Sequence, residues 1–311
     1  MADKPFILAP NCAIPVSVTD ERLRKFHDSI FEKGTKKVRK LLTVVLAGLI
    51  LVLSACGKQS SSGEEKKEIT VGFGVGTYEE QFRQGILPIL EERGYKVNIK
   101  TFSQNMQVNP AMKEGSIDAS IFQSTAYMEA INKELNAEMV RLAFSPGAPQ
   151  GLYSEKHKSL DEVKDGSTVA VPQDPVNQER AIRILEELGW VKVKADAGTT
   201  DFNLNSVEPG NVKLKIEVLD PAQILVSLKD VDYGVVNGNY IANAKRKITE
   251  ALKIENTPEQ HRIIVSINKK DENTQWAKDL KAAYESKEFE DYINSQDKYD
   301  GFILPEAWKK N

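Results

Sequence analysis

The chain has 311 residues, 41% hydrophobic and 28% charged, enough apolar material to bury a core as one large domain or two lobes. A net charge of −3 gives no basic footprint for nucleic acid, and three histidines with two cysteines are too few for a Cys/His zinc site. Cys12 and Cys56 both lie in the first fifth of the chain, with no Cys-x-x-Cys spacing, so no structural disulfide, redox motif, metal or cofactor is expected.

Residues 1–35 fit no export signal and read as an extension ahead of the leader, as an overlong gene start would leave. A leader is expected over 36–55. It opens with the basic run Lys36-Lys37-Val38-Arg39-Lys40, and a thirteen-residue apolar stretch follows over 41–53. That length is short of the about 20 residues a spanning helix needs, and it suits the apolar stretch of a signal peptide. Leu53-Ser54-Ala55-Cys56-Gly57 then has the form of a lipobox. Small side chains admit the peptidase, and the Cys56 thiol carries the diacylglycerol, which with further acylation (palmitate or similar) gives a firm anchor. The polar stretch that follows has no apolar periodicity and reads as a flexible tether over 56–68. Residues 1–55 carry nine Lys/Arg against five Asp/Glu, so the body is more acidic than the whole chain.

The body alternates strand and helix. A strand is predicted at 69–73 and a helix at 78–92, with Phe82, Ile86, Leu87 and Leu90 on one face and Gly94 ending it. A strand at 95–101, a short helix near 110–114, a strand at 117–121 and a helix over 125–135 follow. A second series starts with a strand at 168–171 and a helix opened by Asp174 as N-cap and Pro175 at the first helical position. Then come a strand at 213–219, a helix at 222–228, a strand at 233–236, a strand at 262–267 and one long helix over 276–289. Two βαβ-rich halves imply two α/β lobes with largely parallel sheets and ligands off the C-terminal ends of the strands. The division expected is 69–153 with 262–311 as the first lobe and 154–261 as the second.

Several segments carry a resemblance. They are Gly115-Ser116-Ile117-Asp118-Ala119, Phe122-Gln123, Gly151-Leu152-Tyr153-Ser154 and, most specific, the run from Asp165-Gly166-Ser167 through Val169-Ala170-Val171-Pro172 to Asp174-Pro175-Val176-Asn177. Together with Val236-Asn237 they make the body similar, in order and over essentially all of 69–311, to the NlpA/MetQ family of methionine-binding lipoproteins. The resemblance implies a two-lobed periplasmic-binding-protein fold with the ligand in a cleft between the lobes. It also implies delivery of an amino acid to an ABC importer. With the lipobox, a lipid-anchored protein on the extracytoplasmic face of the cell membrane is expected, a monomer that hands an L-amino acid or dipeptide to an ABC permease with its ATPase.

Arg180 leads the candidate site residues. On the helix from Pro175, Ala181, Ile184, Leu185 and Leu188 form the apolar stripe. At about 100° per residue Asn177 lies about 30° from its centre, Arg180 about 90° and Arg183 about 150°. Arg183 should face water near Glu179 and Glu187, whereas Arg180 can lean into a cleft and offer its fork to a carboxylate beside the helix N-terminus. The resemblance places a carboxylate-binding arginine here too; the alternative is a boundary salt bridge. Asn177, polar on an apolar stripe, needs either ligand or loop backbone. Asn237 follows a buried strand, where the resemblance puts a contact to the ligand's amino-acid end; a turn asparagine in Asn-Gly is the alternative. Phe122 matches the family's aromatic, or is a core residue.

Three positions depart from the family pattern: Ser124 replaces a histidine, Asn105 an aromatic and Ala148 a glutamate. A more polar pocket is expected, with weak methionine binding and a preference for another amino acid or a dipeptide. Gly72-Phe73-Gly74-Val75-Gly76-Thr77 lacks the third glycine and the ribose-binding acid of a dinucleotide site. Gly76 is read instead as part of a tight turn on the cleft rim, with backbone N–H groups near the ligand. Enzyme chemistry finds no support: His157 and His261 lie among polar neighbours, no Gly-x-Ser-x-Gly occurs, and no carboxylate pair stands out. The competing class is a surface adhesin or sensor that binds a macromolecule.

Overall fold

Two five-stranded sheets carry the fold, and the computed structural model describes them within residues 65–310. The leader, Cys56 and most of the tether lie outside the described residues. Lys66 and Lys67, assigned to the tether, are tied down. Lys66 pairs with Asp118, and the Lys67 carbonyl accepts from the Lys96 N–H at 2.8 Å.

In chain order the first half holds β1 (Glu68–Phe73), α1 (Tyr78–Gln81), a π-helical turn (Phe82–Ile86), α2 (Leu87–Glu92), β2 (Lys96–Thr101), α3 (Val108–Lys113), β3 (Ala119–Ser124), α4 (Thr125–Leu135) and β4 (Met139–Phe144). The second half holds β5 (Gly151–Tyr153), β6 (Thr168–Pro172), α5 (Pro175–Glu187), β7 (Val191–Val193), β8 (Val207–Pro209), β9 (Lys215–Leu219), α6 (Pro221–Ser227), β10 (Tyr233–Val236), α7 (Gly238–Asn243) and β11 (Lys253–Ile254). The chain ends with β12 (Ile263–Asn268), α8 (Gln275–Tyr284) and α9 (Lys287–Asn294). Among the described residues no helix is long and apolar enough to cross a membrane.

The first sheet has the order β2-β1-β3-β12-β4 and the second β11-β5-β10-β6-β9. Each has three adjacent parallel strands followed by a reversed one: β12 against β3 and β4, and β5 against β10 and β11. The sheets are therefore mixed, where a largely parallel arrangement is expected from the alternation. The reason lies in the crossings. The parallel strands end at the cleft, so a chain entering a lobe from the cleft runs away from it, and β5 and β12 are the two strands that follow a crossing. Gly151–Tyr153, expected within the first lobe, pairs with β10 and belongs to the second sheet.

Three further departures have local causes. The expected helix over 78–92 forms, but it widens into a π turn in which the Leu87 N–H reaches the Phe82 carbonyl. Pro88 lacks an N–H and would crowd the carbonyl four residues back, and the wider turn relieves that conflict. Phe82, Ile86 and Leu90 still share a fully buried face. The expected helix over 276–289 is two helices, because the Ser286 hydroxyl accepts from the Phe289 N–H at 3.2 Å and starts α9. The strand expected at 117–121 begins two residues later, at Ala119; just ahead of it the Asp118 side chain accepts from the Thr70 N–H at 2.8 Å and the Asp118 N–H donates to the Thr70 carbonyl at 2.7 Å.

Loss of the Ser286 hydroxyl should expose an unpaired N–H at a helix start that buries Phe289. Ser286→Ala is expected to cost about 1 kcal/mol, seen as a lower urea midpoint with unchanged slope.

Candidate functional site

Both sheets end at one cavity of about 480 Å³, lined from the first lobe by the β1 and β3 ends and from the second by the starts of α5, α6 and α7. Arg180, Asn177, Asn237, Phe122, Ser124 and Asn105 all line it. Gly76 does not; its neighbour Val75 does.

The centre of the site is built at the start of α5. Asp174 caps the helix by accepting from the Asn177 N–H at 2.9 Å, and Pro175 follows at the first position, where its missing N–H costs nothing. The Asn177 amide nitrogen donates to both Asp174 oxygens at 3.0 and 3.1 Å, and its oxygen accepts from Arg180 Nη1 at 2.9 Å. Asn177 thus finds its partners on its own helix. Burial pushes the Asp174 carboxyl up, against the Asn177 hydrogen bonds and the Arg180 charge that favour ionisation.

Arg180 is 7% exposed and pairs along one edge with Glu255: Nε to Oε1 at 2.9 Å and Nη2 to Oε2 at 2.7 Å. With Asn177 this uses three of its five N–H groups and leaves two. The cleft arginine and the boundary salt bridge, alternatives on the sequence, coexist in one side chain. Glu255 lies on the chain's return crossing and also accepts from Thr257 Oγ1 at 2.8 Å and from the Gln150 N–H at 3.2 Å. Burial pushes its carboxyl up, but the Arg180 charge and these hydrogen bonds outweigh it and hold the group below the usual carboxylate range.

Gln150, on the outward crossing, completes the network. Its Nε2 donates to Asn237 Oδ1 at 2.7 Å and to the Asn177 carbonyl at 3.2 Å. The Asn237 side chain makes no cap bond to its own helix, and its amide nitrogen has no protein partner among the described residues. Gly238 is required beside it, because a Cβ there would lie 2.3 Å from the Pro149 carbonyl oxygen.

On the first-lobe side, Asn105 Oδ1 accepts from the Val75 N–H at 2.8 Å. Gly74 makes that approach possible, since a Cβ would sit 2.1 Å from the same oxygen. From the second lobe, Asn239 Nδ2 donates to the Val75 carbonyl at 2.8 Å. The loop is thereby held from both sides. Gly76, at φ +143°, gives Asn239 room to approach. Ser124 caps α4, accepting from the Tyr127 N–H at 3.2 Å. Phe122 belongs to the core around Met112 and Met128 and also faces the cavity, edge-on to Tyr127 with ring centres 6.2 Å apart. Asn105 Oδ1 and Ser124 Oγ are thus each engaged as acceptors by protein N–H groups. Burial pushes the Tyr127 hydroxyl up, and that of Tyr240 up to about 12, so both remain neutral.

Sequence reasoning missed Glu255, Gln150, Asn239 and the tyrosines Tyr78, Tyr127 and Tyr240. Gln150 stands beside Gly151-Leu152-Tyr153, Asn239 and Tyr240 follow Asn237, and Tyr127 follows Ser124, whereas nothing near Glu255 marks it. His261, expected among exposed polar neighbours, is 3% exposed and faces Glu179 at 3.5 Å. His157 bridges Glu162 and Asp232 at 3.2 Å each, away from the cavity. Arg183 bonds Glu179 and Glu186, while Glu187 pairs instead with Lys253.

The Glu255 pairing changes what an Arg180 substitution should do. On sequence grounds Arg180→Ala spares the fold, but in the structure it strands a buried carboxylate. A cost of about 3–5 kcal/mol is expected by urea unfolding, with Arg180→Ala/Glu255→Ala less destabilised than the single variant. A depressed folded pKa contributes stability that is present above the unfolded value of about 4.3 and lost as pH falls through the folded one. The deficit of Arg180→Ala relative to the wild type should therefore shrink in acid.

The profile of the family described as NlpA lipoprotein matches residues 69–307. The methionine-binding lipoprotein MetQ of Bacillus subtilis is 30% identical over 274 residues, 85% of this chain and 96% of that one. The D-methionine-binding lipoprotein MetQ of Salmonella typhimurium is 36% identical over 194 residues, 61% of this chain and 69% of that one. A nutrient binding protein from Burkholderia cenocepacia, solved bound to methionine, superposes with a TM-score of 0.71 at 32% identity, over 76% of this chain and 98% of that one. With the two-lobed α/β fold and the cleft between its sheets, these matches establish that the chain belongs to the NlpA lipoprotein family.

Proposed function

We propose that this chain is the ligand-capturing lipoprotein of an ABC importer, a binding protein rather than an enzyme, anchored through Cys56 on the extracytoplasmic face of the membrane. Its ligand is an L-amino acid, with methionine the leading choice, or a short peptide. The observation that carries this is the cavity itself. Its volume of about 480 Å³ falls in the range of small-molecule sites. Its free donors, two N–H groups of Arg180 and the Asn237 amide, suit a ligand's main-chain oxygens, while Phe122, Tyr127 and Tyr240 suit an apolar or polarisable side chain. The relatives named for methionine support the side-chain class. A solved relative from Coxiella burnetii titled as an ABC transporter periplasmic substrate-binding protein, 30% identical with a TM-score of 0.70, supports the transport role.

A thermal-shift screen of ligand-stripped protein against the twenty L-amino acids and a dipeptide set tests this reading. At least one compound should stabilise the protein, by about 2.7 kcal/mol at a hundredfold excess over Kd. Retention of a macromolecule with no response to any small compound would instead make the chain an adhesin or sensor.

The anchor has its own test. Cys56 is the sole thiol from residue 56 onward. Cys56→Ala should fail to incorporate labelled fatty acid and should leave the membrane fraction; continued labelling would rule out the lipobox.

A further inference from the structure

Arg180 is the one cationic side chain lining the cavity among the described residues; Asp174 and Asp220 line it too. The arginine's charge is already matched. Glu255 takes the Nε edge with two hydrogen bonds, at 2.9 and 2.7 Å, and both side chains are nearly fully buried. Glu255 is itself held in place. Thr257 Oγ1 and the Gln150 N–H donate to Oε2, and the Glu255 N–H donates to the Gln150 carbonyl at 3.0 Å. To leave Arg180, the carboxylate would have to give up all the donors to its side chain and remain in a dry site with no replacement.

A ligand carboxylate entering such a site meets a guanidinium whose charge is cancelled and, on the same wall, the acidic side chains of Asp174 and Asp220 rather than a second cation. What Arg180 still offers is two directed N–H groups, and these serve an amide carbonyl as well as a carboxylate oxygen. The ligand's ammonium, by contrast, finds an acidic surrounding.

We propose that Glu255 is a specificity-determining residue, a built-in carboxylate that neutralises Arg180 and lets the cleft accept a masked carboxyl group, as an amide or a peptide bond, nearly as well as a free one. The inference rests on the proposed binding of amino acids or short peptides, and it narrows the ligand class to molecules that keep a free amino group but need no free carboxylate.

The test is calorimetry on the ligand-stripped mature protein with L-methionine, L-methioninamide and L-methionyl-glycine, repeated on Glu255→Gln. The wild type should bind methionine and methioninamide within tenfold of each other. Glu255→Gln keeps the side-chain shape but leaves Arg180 uncompensated, and should raise the acid-to-amide preference by tenfold or more. A wild-type preference for the acid above tenfold overturns the role of Glu255 and leaves amino-acid binding standing. So does a Gln variant whose acid-to-amide ratio is unchanged or falls. If Glu255→Gln does not fold, the wild-type ratio decides alone. Should none of the three probes bind, the same comparison is made with the tightest amino acid of the screen and its amide. Absence of binding by the whole screen defeats the proposed function and this inference with it.

Discussion

A guanidinium buried as deeply as that of Arg180 keeps its charge and so needs a carboxylate beside it, which it finds 75 residues further along the chain, on the return crossing between the lobes. The rest of the site is arranged around that pair. Asn177 relays it to Asp174 and so to the start of α5, and Gln150 ties the outward crossing to Glu255 and to Asn237. Both crossings, the helix start and the end of β10 thus share one hydrogen-bonded network. Such a network is most costly to break at the Arg180–Glu255 pair, where each removal strands a deeply buried partner.

Close backbone approach makes this arrangement possible, and it is bought with glycines. At Gly238 and Gly74 a methyl group would overlap a carbonyl oxygen and the Asn105 side-chain oxygen respectively. The amide side chains of Asn105 and Asn239, on the Val75 N–H and carbonyl, then do at the cleft what backbone ladders do in the sheets. They satisfy polar groups that turn away from regular structure.

What could be read from the sequence was local chemistry. Asp174-Pro175 marks a helix start because both cues act within one turn, and the boundary position of Arg180 follows from a period of 3.6 residues. The partner of Arg180 could not be read, since nothing near Glu255 distinguishes it from other surface acids. The same limit explains β4: Arg141 interrupts its apolar run, and its pairing with β12 is long-range. Ser286 looks like any helical serine until Phe289 is known to pack inward. His261 looks exposed because its sequence neighbours are polar, whereas its surroundings come from α5. Motifs resembling the family located the cleft residues, but three of them, Asn177, Asn105 and Ser124, turned out to hold other protein groups in place.

The strand order of the first sheet has a consequence for how the molecule is assembled. β3 and β4 are consecutive in the chain, yet β12 lies between them, so the sheet keeps a gap until residues 263–268 are available. A chain growing from its N-terminus holds two unpaired strand edges facing that gap through the synthesis of the whole second lobe, and such edges invite mispairing. Closure depends on contacts of large sequence separation, which slows folding. The first lobe is therefore the last to be finished, and a polypeptide truncated ahead of β12 would lack the centre of its own first sheet.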